Sequence, residues 1–99
     1  MIVVAGSIGI KPETRPEALK LAFWMMEQTQ AEVGCISYRF SSALEDENTI
    51  LVFEEWESDA HLKAHFQTPH MAEFNAQLKD LAAGRSSVQR YVISEHAPL

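Results

Sequence analysis

Between Leu51 and Phe74 the chain reads LVFEEWESDAHLKAHFQTPHMAEF. The opening residues, Leu51 to Trp56, are rich in β-branched and aromatic side chains and read as the end of a strand that begins near Thr49. Ser58 is a good N-cap, with Asp59 favourably placed in the first turn of a helix. That helix, from Asp59 to about Gln67, is expected to turn Leu62 and Phe66 inward. Pro69 stops it and opens a second helix at its first position. Met71, Phe74, Leu78 and Leu81 then recur at spacings of three and four, an amphipathic pattern. Three of the four histidines (His61, His65 and His70) and one of the two tryptophans (Trp56) fall in this stretch. The rest of the chain reads as a scaffold for it.

Working outward, Ile2, Val4, Ile8 and Ile10 alternate with Val3, Ala5, Ser7 and Gly9, the period of a strand with both faces covered. Lys11–Thr14 is a turn. Thr14, Pro16 and Glu17 mark a helix start. Ala18, Leu19, Ala22, Phe23, Met25, Met26 and Thr29 form a broad apolar stripe, and the helix ends before Gly34. Trp24, Met25 and Met26 are expected in the helix–sheet core. Ile36, Tyr38 and Phe40 alternate with Cys35, Ser37, Arg39 and Ser41 in a second strand. Ala43–Asn48 reads as a polar loop too long for a tight hairpin. Ala83–Ser86 ends the last helix, and Val88, Arg90, Val92 and Ser94 mark the final strand.

The resulting order, β-α-β-β-α-α-β, predicts an α+β, ferredoxin-like fold with helices on one face of a four-stranded antiparallel sheet. The 99 residues make one domain, 1–99. The other sheet face would carry Val3, Ala5, Leu51, Phe53 and Tyr91. An apolar face of that extent predicts a homodimer packed sheet to sheet.

The formal charge is −6, and the eight Lys and Arg residues are scattered singly. Nucleic-acid binding needs clustered cations, so it is not expected. The single cysteine, Cys35, excludes an internal disulfide and a Cys-rich zinc site, and fits a reducing cytoplasm. MIVVAGSIGI lacks a basic n-region and is too short to span a bilayer, so neither a signal peptide nor a membrane helix is expected.

His65 is the first candidate for proton transfer, because it lies by the Pro69 break and an imidazole titrates near neutrality. The alternative is a partly buried histidine bonded across the helix junction. His70, in the first turn of a helix, either caps backbone or faces a pocket; His61 reads as a solvent residue. His61 and His65 have the spacing of two zinc ligands, but Lys63 between them and no third ligand nearby argue against a metal. Glu54 shares a strand face with Trp56; it is either a tuned acid or a rim residue paired with a cation. Tyr38 either bonds a substrate oxygen or is buried against backbone. Cys35 is not an expected nucleophile.

Gly34-Cys35-x-x-Tyr38, Phe53-Glu54-x-Trp56, Ala60-x-Leu62-x-x-His65, Thr68-Pro69-His70 and Phe74 together resemble the antibiotic biosynthesis monooxygenase family, its quinol monooxygenases most of all around Trp56–Phe74. The resemblance covers nearly the whole chain. It implies a dimeric α+β barrel and a cofactor-independent oxygenation, with no metal. A hydroquinone or related small aromatic substrate would bind in an apolar pocket, lose a phenolic proton and reduce O₂ directly. By this resemblance His65 is the catalytic residue, Trp56, Tyr38, Phe66 and His70 shape the pocket, and Arg90 stabilises an anion. The related haem-degrading branch needs Asn, Trp and His where this chain has Ser7, His65 and Asn75, which argues against haem. Two alternatives are a small-molecule isomerase of the same superfamily, with Arg39, Arg85 or Arg90 available to a phosphate, and a non-catalytic ligand-binding or stress-response dimer.

Overall fold

The computed structural model describes residues 1–99. Alternating apolar residues give four strands: β1 (Ile2–Ile10), β2 (Cys35–Ala43), β3 (Asp46–Trp56) and β4 (Ala82–Val92). The helices are α1 (Arg15–Gln30), α2 (Asp59–Phe66) and α3 (Pro69–Leu81), with a short 3₁₀ turn at Pro12–Thr14. The strands form one antiparallel sheet in the order β2-β3-β1-β4, the ferredoxin-like arrangement that the element order predicts.

Strand parity sets the layers. Ile2, Val4, Ile8 and Ile10 are buried on one face of β1, as are Ile50, Val52, Glu54 and Trp56 of β3. They pack against Ala18, Leu21, Ala22 and Met25 of α1, Leu62 of α2 and Phe74 of α3, which removes their apolar surface from water. The register puts Val3 opposite Glu55 and Tyr91, Ala5 opposite Phe53, and Ser7 opposite Leu51, so the predicted apolar set does share the uncovered face. Leu51, Phe53 and Tyr91 are exposed there. Gly6 is required where β4 crosses β1 closely: a Cβ at this position would stand 1.9 Å from the Ser87 carbonyl oxygen.

The α2–α3 junction follows its capping residues. Ser58 Oγ accepts from the His61 backbone N–H at 3.3 Å, and Thr68 Oγ1 accepts from that of Met71 at 3.2 Å. Pro69 occupies the first turn of α3, where its missing N–H costs nothing.

Several local expectations are corrected. Ala43–Asn48 is not a long loop: Ala43 pairs with Asp46 and only Leu44 and Glu45 turn the chain. The Asp46 carboxylate accepts from the Asn48 N–H and the Thr49 hydroxyl, both at 2.9 Å, which stabilises polar residues in a solvent-facing hairpin. β4 starts at Ala82, directly after α3, and ends at Val92, before Ser94. On α1 the buried stripe includes Leu21 rather than Phe23, which is 69% exposed, and Trp24 lies at the helix surface, outside the core. Phe66 is 52% exposed, and its neighbour His65 takes the inward position at 1%.

Candidate functional site

A cavity of about 440 Å³ opens between the sheet, α2 and α3. Its wall is mostly apolar: Val4 and Ile8 from β1, Tyr38 and Phe40 from β2, Val52 from β3, Leu62 and Phe66 from α2, Met71, Phe74 and Leu78 from α3, and Val88 from β4. The polar lining residues are Glu54, Asn75, Ser86, Gln89 and Arg90. An apolar concavity with a few convergent polar groups is the usual form of a small-molecule site.

Glu54 is the one carboxylate on that wall, and it is buried. Alternation along β3 aims it at the helices together with Val52 and Trp56. Trp56 Nε1–H donates to Glu54 Oε1 at 2.9 Å, and no cation pairs with it, which corrects the rim-residue expectation. Burial pushes its pKa up to about 7; the Trp56 hydrogen bond opposes that rise, and the Glu32 charge adds to it. The cavity therefore holds a carboxyl group that exchanges its proton near neutral pH.

Three of the expected site residues line the cavity: Tyr38, Phe66 and Arg90. Tyr38 is almost wholly buried, and burial raises its hydroxyl well above the ordinary tyrosine value, so it stays neutral. Arg90 Nη1 is 3.3 Å from Asp59 Oδ1, joining β4 to the start of α2. Both partners are half-exposed, so this pair contributes little to stability. Its consequence here is positional, because it holds a cation at the cavity wall.

His65, Trp56 and His70 do not line the cavity. The His65 ring sits one layer back, with its centroid 4.8 Å from Trp56, 5.7 Å from Tyr38 and 5.9 Å from Phe66. Its Nδ1 lies 2.6 Å from Glu32 Oε2, and the same oxygen lies 2.7 Å from His70 Nε2. Desolvation lowers the His65 pKa, with Glu32 pulling the other way. His61 is not a second ligand beside it; its Nδ1 lies 2.7 Å from Ser58 Oγ. Cys35 is half-buried and, beside Glu32 and Glu54, burial and charge push its thiol up to about 11, so it is no nucleophile.

The sequence reading offers Glu54 as a tuned acid without placing it among the site residues, and it misses Glu32. Glu54 had a usable signal, its parity with Val52 and Trp56. Glu32 had none, because it stands 33 residues from His65 in a turn. Gly34, at φ 87°, reverses the chain after α1 and leaves no room for a Cβ against the His61 ring, which fixes the turn carrying Glu32 over the α2–α3 junction.

No helix is long and apolar enough to cross a membrane. The family profile described as "Antibiotic biosynthesis monooxygenase" matches residues 1–77. The uncharacterized protein sll1783 of Synechocystis is 40% identical over 94 residues, 95% of this chain, but the match spans 64% of that protein's length. YcnE of Bacillus subtilis, whose name assigns it provisionally to the monooxygenases, is 35% identical over 96% of this chain and 100% of its own. YgiN of Escherichia coli, provisionally named a quinol monooxygenase, is 50% identical over 32 residues, 32% of this chain and 31% of its own. The chain belongs to the antibiotic biosynthesis monooxygenase family.

Proposed function

We propose that this chain is a monooxygenase that oxidises a hydroquinone or related phenol with O₂, and that Glu54 is the base. The observation carrying this reading is a buried carboxylate with a pKa near 7 on the wall of an otherwise largely apolar cavity. A substrate ring fills the apolar part. Glu54 accepts the phenolic proton, and the resulting anion transfers an electron directly to O₂. The radical pair joins at a ring C–H carbon as a hydroperoxide, whose O–O bond breaks as the ring hydrogen leaves with one oxygen as water; the other oxygen stays on that carbon, giving a quinone from a phenol and a hydroxyquinone from a hydroquinone. The chain's own work is to bind, deprotonate and exclude water, so the chemistry asks for no flavin. The name carried by YgiN and the likeness around Trp56–Phe74 support the quinol class. Arg90 is the only cation on the cavity wall and already shares Asp59, which favours a phenolate over a phosphorylated isomerase substrate.

His65 then serves at one remove, holding Tyr38 and Trp56 in place rather than meeting substrate. This moves the base from the position that the family resemblance implied to one facing the cavity. The test is oxygen consumption by chelator-treated protein across mono-, di- and tricyclic hydroquinones. Turnover in metal-free buffer is the expected result. Tight binding without oxygen uptake, in protein of verified fold, would leave a ligand-binding module instead.

The uncovered face of the sheet supports a homodimer packed sheet to sheet. Sedimentation velocity at micromolar concentration should give twice the chain mass. Phe53→Glu, which sets two carboxylates at the middle of that face, should give the monomer. A monomeric wild-type protein would end this assembly.

A further inference from the structure

Glu32, His65 and His70 come from three different elements: the turn after α1, the last turn of α2 and the first turn of α3. Their donor atoms all lie within 4.8 Å of one another, with Glu32 Oε2 shared between the two imidazole nitrogens. None of the three lines the cavity of the proposed oxygenation. We propose that they form a binding site for one divalent first-row transition ion of the zinc class, separate from that cavity.

Four observations carry the proposal. The first is the donor set. Two imidazole nitrogens and one carboxylate oxygen are the three-ligand complement of an open zinc site, and they disfavour Ca²⁺ and Mg²⁺, which want oxygen cages. The second is geometry. Bonds of about 2.0–2.2 Å from one ion set its ligands roughly 3–3.5 Å apart. The Glu32 oxygen lies 2.6 and 2.7 Å from the two nitrogens, and the nitrogens lie within 4.8 Å of each other, so side-chain rotation has to draw the oxygen back and bring the nitrogens together.

The third observation is that the ligands are held in place. The His65 ring is packed against Trp56 and Tyr38, and the Thr68 hydroxyl donates to the His65 carbonyl at 2.8 Å while capping α3. His65 and His70 thus flank a junction of fixed backbone shape, and only side chains have to turn when an ion arrives. The fourth is access and charge. His65 is 1% exposed, but His70 and Glu32 keep 15% and 14%, which provides an entry path and an outward position for water. No lysine or arginine pairs with Glu32; the chain's two such ion pairs both use Asp59. The carboxylate's only charge-bearing partners are the two imidazoles.

His61, four residues before His65, takes no part in the site: its Nδ1 lies 2.7 Å from Ser58 Oγ. The third ligand comes instead from a turn that no helical spacing connects to the histidines.

The experiment uses the full chain stripped with chelator and dialysed. Zn²⁺ is titrated by calorimetry, and Co²⁺ by its visible absorption as an independent report on coordination. One ion per chain is expected, with a rise in melting temperature on Zn²⁺ addition. Glu32→Gln and His70→Ala, each checked for fold by circular dichroism, should weaken binding at least about tenfold. His61→Ala should bind like the wild type. No uptake by folded wild-type protein, or uptake that Glu32→Gln and His70→Ala leave unchanged, would overturn the site. The oxygen assay reads the other proposal separately: uptake in chelator-treated protein can succeed or fail whether or not Zn²⁺ binds here.

Discussion

Replacing Glu54 by glutamine is expected to remove most of the oxygen uptake and, above pH 7, to make the protein more stable. Loss of a positioned general base typically costs about 10²–10⁴-fold in rate. Glutamine is close to isosteric and retains an acceptor oxygen for Trp56 Nε1–H, so the cavity should keep its shape. The stability gain follows from linkage. Burial raises the Glu54 pKa from 4.5 in the reference state to about 7 in the fold. The folded protein therefore holds this proton more tightly than the unfolded chain does. The associated stability is fully present below about pH 4.5, declines as the pH climbs through about 7, and is flat above it. At 1.36 kcal/mol per pK unit, the ionised carboxylate costs the wild type about 3 kcal/mol at pH 8, an upper value, since glutamine must be buried too.

Two measurements check this. Melting temperatures of wild type and Glu54→Gln, followed from pH 4.5 to 8, should separate progressively as the pH rises. His65 contributes the opposite slope, because its lowered pKa makes protonation favour unfolding as the pH falls below its ordinary value. That slope is common to both proteins, so the difference between the two curves isolates Glu54. In the rate profile, kcat/KM of the wild type should rise through about pH 7 as Glu54 ionises. Parallel melting curves would mean that Glu54 does not titrate in this window, and the base assignment would fall with it.

The same residue shows what the sequence makes legible. Strand periodicity, the Ser58 cap and the Pro69 start define the frame, and each is a local property of a few neighbouring side chains. Parity along β3 already places Glu54 with Val52 and Trp56, yet buried carboxylates are rare enough that the polarity of the residue outweighs its position. His65 and Phe66 pose the converse problem. Spacings of three and four from Leu62 both fall on the inner side of α2, and hydrophobicity alone selects Phe66. What selects His65 is Glu32, a hydrogen-bond partner supplied from another element, and no window around α2 contains it. The polar 43–48 segment likewise reads as a loop until Asp46 is seen to accept from Asn48 and Thr49. In each case the missing information is a specific tertiary or turn contact that decides between two locally equivalent readings.

Trp56 carries the other large effect, because its indole performs two separable tasks. It is fully buried at the centre of the main core cluster, and its N–H is the hydrogen bond that the Glu54 carboxylate receives. Trp56→Ala should destabilise the fold by about 3–5 kcal/mol, measured by chemical denaturation, since a cavity of that size does not collapse fully. Trp56→Phe retains most of the apolar contact and deletes only the donor. A hydrogen bond to a charged group is worth about 1.5–3 kcal/mol, so losing it should raise the Glu54 pKa by about one to two further units. The rising limb of kcat/KM should then move to higher pH by that amount, with a smaller loss of rate at its plateau. A limb that stays near pH 7 in Trp56→Phe would show that a group without an indole partner sets it. The assignment of Glu54 as the base would then fall, because its carboxylate is the group that the indole N–H bonds.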